Sequence, residues 1–490
     1  MKQILGWALD MAAQRGATFA DARIVDDRSR ALATKNGRVG QVSDSESLGL
    51  GMRVIADGAW GFAASDDLSR EAVEATAARA LAIAKASARV KQENIRLAPE
   101  KPVVAEWATP ILIDPFSISV EQNLELLLKI DRELMSVTGI TLAETNMNFR
   151  REESWFASFE GADIHQTKYW TGTGYAAYVF AGNELQKRSY PNSFGGQWQS
   201  KGYELVHELK LLENARRVAE EAVALHKADQ CPEGDFTIIL DSSQLGLQIH
   251  ESVGHPIELD RVLGMEANFA GTSFLTLDKL GSLRYGSNLV NVVADARLEH
   301  GPGLGTFGFD DEGVPAQCTP IISNGLFTGY LSSRETAHTI GETRSGGTLR
   351  AEGWNRLPMI RMTNISILPG DKPLTLEQLI ADTDHGIYME TNKSWSIDDK
   401  RYNFQFSCEM GWEIKSGKRA RMLKNPSYSG ITTDFWNSMD AICSRDQWTL
   451  WGTPNCGKGQ PQQVMGTGHG ASPARFRKVR VGSAYKGAGG

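Results

Sequence analysis

No stretch of this 490-residue chain approaches the roughly 20 consecutive apolar residues of a membrane-crossing helix, so a helical membrane span is excluded. Basic residues are in deficit, with 52 Lys and Arg against 59 Asp and Glu and a net charge of −7. That balance lacks the basic footprint needed for nucleic acid or an anionic membrane surface, and neither is expected as a partner. The N-terminal residues carry Lys2, Asp10 and Arg15 without the apolar run of a secretory signal, so a cytoplasmic protein is expected. Cysteine is sparse: Cys231, Cys318, Cys408, Cys443 and Cys456 are odd in number and far apart, unlike the disulfide framework of a small secreted domain. Reduced thiols are expected, each a potential ligand. Histidine is also scarce, nine in all, which makes the pair His250 and His255 stand out.

The length predicts two or three domains. Ile4, Leu5, Ala8, Leu9 and Ala12 fall at helical spacing, and Asn36-Gly37 and Asp57-Gly58 mark tight hairpin turns between β-prone runs. An Ala-rich helix over about 68–90 and a proline-punctuated connector close a first unit, 1–98. A second unit, 116–229, repeats the order helix, strands, helix without a residue-level repeat. From 235 to 490 short β-prone runs alternate with Gly and Asn turns. The expected fold class is α+β: an α/β N-terminal part with mixed sheets flanked by helices, then a large antiparallel β-rich C-terminal domain. That last domain opens with the strand Phe236 to Leu240, after which Asp241 caps a helix bearing His250 and Glu251.

Residues 250 to 255 read H-E-S-V-G-H. Two imidazoles can hold a hydrolytic metal while the carboxylate serves as base; zinc lowers the pKa of bound water to about 7. In the familiar H-E-x-x-H pattern the histidines are four apart on one helical face, but here they are five apart. Five residues of regular helix turn through about 500°, leaving the rings about 140° apart around the axis. The motif therefore requires the helix to end, or to take up a one-residue π-bulge, near Gly254, and Pro256 supports a break there. The alternative is a helix end with chance histidines. A third ligand is needed, and Cys456 is favoured because P-N-C-G-K-G-Q (454 to 460) is a polar Gly-rich turn where an exposed thiolate would lie near Lys458. Cys408 and Cys443 sit among apolar residues and fit buried core thiols better.

The chain resembles the TldD/PmbA family of prokaryotic metalloproteases, in its metal-bearing, TldD-like branch. The matching text is H-E-S-V-G-H-P-I-E-L-D-R (250 to 261), F-A-G-T-S-F-L (269 to 275), D-D-E-G-V-P (310 to 315), R-M-T-N (361 to 364) and C-G-K-G-Q-P (456 to 461). The resemblance implies His250, His255 and Cys456 as ligands of one Zn2+ per chain and Glu251 as general base. It further implies hydrolysis of small or unfolded peptides, and a homodimer or a heterodimer with a homologous subunit lacking the metal motif. One stretch departs: after G-I-Y-M-E (386 to 390) the family's Gly-rich continuation is replaced by T-N-K-S-W-S-I-D-D-K (391 to 400).

Other features weigh less. G-L-G-T-F-G (303 to 308) matches a dinucleotide fingerprint, but the F-D-D-E-G-V-P that follows is no helix and would repel a pyrophosphate. Asp310, Asp311 and Glu312 read as a solvated loop more readily than as cleft residues. His469 is either an oxyanion donor or a packed histidine. Tryptophans crowd the C-terminal region, among them Trp395 and Trp436, and core anchoring is their usual use. Besides a peptidase, two other readings stay open: a subunit merely braced by metal, and a peptide-binding or maturation module whose partner does the catalysis.

Overall fold

Asn36 and Gly37 have φ of 50° and 71°, and Asp57 and Gly58 of 51° and 75°, the left-handed pair that a two-residue hairpin turn demands. The strands Phe19–Lys35, Arg38–Ala56 and Ala59–Ser65 therefore fold as a meander in the computed structural model, which describes residues 1–482. Residues 483–490 of the third segment lie outside the described residues. The helix Arg70–Ser87, capped by Ser69, lays Ala77, Ala80 and Ala84 on this sheet. Contact is so close that a Cβ on Gly61 would lie 2.0 Å from the Ala80 carbonyl oxygen.

The next helix, Val120–Met135, starts in a reciprocal cap between Ser119 and Gln122. Its following strands, Leu142–Ser158 and Asp163–Ala181, continue the first sheet: Phe19–Lys35 pairs antiparallel with Leu142–Ser158 from Asp21↔Ser158 to Lys35↔Glu144. Segments 1–98 and 116–229 thus feed one eight-stranded sheet. The helix expected to close the second unit is two, Glu204–Glu208 and Leu211–Lys227, because Lys210 adopts left-handed φ 47° between them.

The third segment builds a six-stranded and a two-stranded sheet and, joined by Asp229–Gln230, an eight-stranded one. Gly234–Leu240 pairs antiparallel with Ala474–Val481 and parallel with His385–Ile397, so the mainly antiparallel domain contains parallel pairings as well. Between the sheets lies the helix Ser242–Ile249, every residue of which is buried. Leu245, Ile249 and Val253 enter a large core with Ile238, Met362, Phe406 and Trp436.

Charged side chains tie the N-terminal sheet to this domain. Asp310 to Glu312, expected to be solvated, are such a clasp: Asp310 and Glu312 are buried at 3% and 6% exposure. Asp310 accepts from the backbone N–H groups of Glu312, Val314 and Leu349, while Asp311 and Glu312 face Arg23 and Arg53 at 3.4 and 3.6 Å. Hydrogen bonds and cations compensate a burial that charge alone would forbid. A second tie centres on Arg188, which meets Glu221, Glu409 and Glu390 at 3.2, 3.5 and 3.7 Å.

Burial pushes the Glu390 carboxyl up, against the pull of Arg188, to about 7. The folded state therefore binds this proton more tightly than the unfolded chain does, and stability is lost as pH rises from the ordinary carboxyl range through about 7. Glu390→Gln, neutral throughout, is expected to raise the melting temperature by about 2–4 °C at pH 8 and to leave it unchanged at pH 5. Thermal melts at the two pH values check this; an equal shift at both contradicts it.

Candidate metal centre

Asp241 caps the metal helix, accepting from the N–H groups of Ser243 and Gln244 at 3.0 Å each. The helix is regular to Ile249 and then widens into a π-turn over His250–Gly254. The His255 N–H donates to the His250 carbonyl at 3.2 Å, an i→i+5 bond. This extra residue brings two histidines five apart onto one side, with ring centroids 4.9 Å apart. A Cβ at 254 would lie 2.1 Å from the Met362 sulfur, so any side chain there would have to displace Met362 from the core. The widened turn is braced at Ser252, whose hydroxyl accepts from Trp436 Nε1 at 3.0 Å and whose carbonyl accepts from the Tyr285 hydroxyl.

Cys456 comes from 201 residues further along, on the strand Thr449–Lys458, paired to Met465 of Gln463–Ala471. Its Sγ is 3.7 Å from His255 Nε2, and one ligand atom each of His250, His255 and Cys456 lie within 4.8 Å of one another. With Zn–N of about 2.0–2.1 Å and Zn–S of about 2.3 Å, a tetrahedral ion separates N from S by about 3.6 Å, so the donor set fits such an ion. The expectation of an exposed thiol in a turn is corrected: Cys456 is in a strand and only 3% exposed, and the turn begins after Lys458. Burial opposes its ionisation, but His250, His255 and Arg361 outweigh burial and hold the thiol well below its usual range. Lys458 instead reaches Asp260 at 2.6 Å and Glu258 at 3.4 Å. Cys408 and Cys443 are fully buried in apolar clusters, as expected of core thiols.

A second ring of groups orients the imidazoles. His469 Nδ1 lies 3.1 Å from the Ile365 carbonyl and must be its protonated nitrogen, which leaves Nε2 to accept from His250 Nδ1 at 2.7 Å. His250 thereby presents an Nε2 lone pair. Burial keeps His469 well below its usual pKa, in the neutral form this relay needs. Glu258 accepts from His255 Nδ1 at 2.9 Å, the carboxylate–histidine arrangement typical around metals, and frees His255 Nε2 toward Cys456. Glu258 was missed in the sequence, although its place three residues after His255 was a usable signal. Glu258→Gln and His469→Ala are each expected to weaken zinc binding by about 10- to 100-fold, measurable by competition with a chromophoric chelator. Unchanged affinity in both would remove their orienting role.

Glu251 projects from the π-turn, 5% exposed, and accepts from Arg401 Nη1 at 2.5 Å. Burial raises its pKa, but His250, Arg401 and His255 together outweigh burial, with a smaller contribution from Trp395, and keep it ionised. Trp395 belongs to the stretch 391–400, and Arg401 follows it directly. A cleft separates Arg150, Lys168 and Trp170 of the N-terminal sheet from Arg350 and Met465, the residue paired with Cys456.

Two imidazoles and a thiolate converge on an α+β frame, with an ionised carboxylate on the same π-turn, an arrangement that could hold a hydrolytic metal. Residues 233–483 match the PmbA/TldA metallopeptidase C-terminal domain and residues 20–84 match domain 1 of the same family, so the chain belongs to the PmbA/TldA (TldD/PmbA) metallopeptidase family. It is similar to a metalloprotease of Methanocaldococcus jannaschii, 30% identical over 92% of this chain and 95% of the relative. A zinc metalloprotease TldD homolog of Saccharolobus solfataricus is 27% identical over 51% of this chain and 52% of its own length. The fold is shared with TldE of Thermococcus kodakarensis, at TM-score 0.69 and 14% identity, covering 99% of this chain and 100% of that one. No helix among the described residues is long and apolar enough to cross a membrane.

Proposed function

We propose that this chain is a zinc-dependent peptidase in which His250, His255 and Cys456 hold one Zn2+ and Glu251 is the general base. The observation that carries this reading is the convergence of three buried donors, with each histidine's Nδ1 engaged and its Nε2 left free for a metal. Zinc, when bound, supplies Lewis-acid polarisation and makes hydroxide available near neutral pH. Glu251 takes the proton of the attacking water and delivers it to the leaving amine. Cleft walls of mixed charge with Trp170 suit a polar, extended main chain, which fits small or unfolded peptides bound with little sequence preference.

Likeness to TldE supports a partner of the same fold, either a second copy or a homologue without the metal motif. The chain order divides as 1–98, 116–229 and 235–490, the metal helix opening the last unit. The test is cleavage of fluorescein-labelled casein by the purified chain. Activity that 1,10-phenanthroline removes and zinc restores is expected; activity indifferent to the chelator would overturn the reading.

A further inference from the structure

Amide hydrolysis needs, besides a base, a donor for the negative charge that grows on the carbonyl oxygen. His469 is committed elsewhere, its two ring nitrogens bonded to His250 and Ile365. The nearby cations are mostly spent on structure. Lys458 is held by Asp260 and the Ile360 carbonyl, Arg361 by the carbonyls of Cys456 and Gln463, and Arg350 by those of Met362 and Gly466.

Arg401 differs from these. One Nη donates to Glu251, and its buried Nε has no partner. Arg361 also leaves a buried Nε free, but that residue is 0% exposed, whereas the Arg401 side chain is 16% exposed. The Arg401 backbone is fixed for aiming: φ is 63°, the N–H donates to the Asp398 carbonyl, and the carbonyl accepts from the Thr432 hydroxyl at 2.9 Å. Asp398 locks the turn by accepting from the N–H groups of Tyr402 and Asn403. A guanidinium with spare N–H capacity is thus bonded to the residue proposed as the general base.

We propose that Arg401 is a second catalytic residue, whose guanidinium donates to the scissile carbonyl oxygen as charge develops there. This rests on the peptidase reading above. Water oxygen bonds to the carbonyl carbon as its proton passes to Glu251, and the C=O π pair moves onto the oxygen facing Arg401. The pair returns as the C–N bond breaks, and the proton on Glu251 goes to the departing nitrogen.

The test uses the zinc-loaded full chain and two tripeptide probes. One is phosphinic, with PO2−–CH2 replacing the scissile CO–NH; the other is its trans-alkene isostere, which has no oxygen there. By calorimetry, Arg401→Met is expected to lose about 100- to 1000-fold in affinity for the phosphinic probe, and a similar factor in kcat on labelled casein. Arg401→Lys is expected to lose about 10-fold, keeping the charge but not the fork. The alkene probe is expected to bind wild type and both variants alike, with zinc content and melting temperature unchanged. Equal phosphinic affinity in wild type and the Met variant would overturn the proposal. So would parallel loss of both probes, which assigns Arg401 a structural role, or a gain in kcat, which makes it a brake on Glu251. A wild type that cleaves casein no faster than the Met variant defeats only this inference, whereas a zinc-loaded wild type that binds neither probe and cleaves nothing defeats the peptidase reading too.

Discussion

Glu251→Gln is expected to keep the metal site filled and the fold intact while lowering kcat by about 10²- to 10⁴-fold. The amide is isosteric and its oxygen can still accept from Arg401 Nη1, so the bond seen at 2.5 Å has a replacement. What the amide lacks is basicity: it can neither take the proton of the attacking water nor return it. No coordination bond is lost, because the three converging donors are His250, His255 and Cys456. Zinc content, melting temperature and cleavage measured on one preparation check this. A fully active Gln variant would sink the role of Glu251. Activity lost without zinc loss or unfolding would argue against a subunit that metal merely braces.

Much of the local structure was legible before the fold was known. The five-residue gap between His250 and His255 cannot be accommodated by a regular helix, so either a helix end or a π-bulge near Gly254 was readable from arithmetic, and the i→i+5 bond realises the second. Asn36-Gly37, Asp57-Gly58 and Asp241 announced their turns and cap because each residue type solves a local backbone problem.

Cys456, favoured among the five thiols, does lie beside the two histidines, but not in the setting expected. The expectation was an exposed turn near Lys458, whereas the thiol is buried in a strand and its charge is favoured by two imidazoles and Arg361. Lys458 turns toward Asp260 and Glu258 instead.

What stayed hidden was set by register between distant segments. Arg401 lies 150 positions from Glu251 and His469 lies 219 from His250, and no spacing rule connects such pairs. The acidic run Asp310 to Glu312 looked solvated because its partners, Arg23 and Arg53, belong to the opposite end of the chain. A buried charge is recognisable from sequence only when its counter-ion is local. The joint sheet of segments 1–98 and 116–229 was hidden for the same reason, since its pairing spans more than a hundred residues.

A thiolate is expected to complete the metal site begun by the two histidines. Cys456→Ser tests it because serine preserves size but not chemistry: an alcohol does not ionise near neutral pH and is a poorer zinc ligand than a thiolate. The remaining pair, His250 and His255, would keep its orienting bonds to His469 and Glu258, so loss of metal would not reflect loss of the imidazoles. The decisive measurement is zinc by elemental analysis of wild type beside Cys456→Ser, both dialysed against a weak chelator. About one zinc per chain is expected in wild type and less than about a tenth of that in the variant, with both proteins folded. Equal zinc in the two would contradict it.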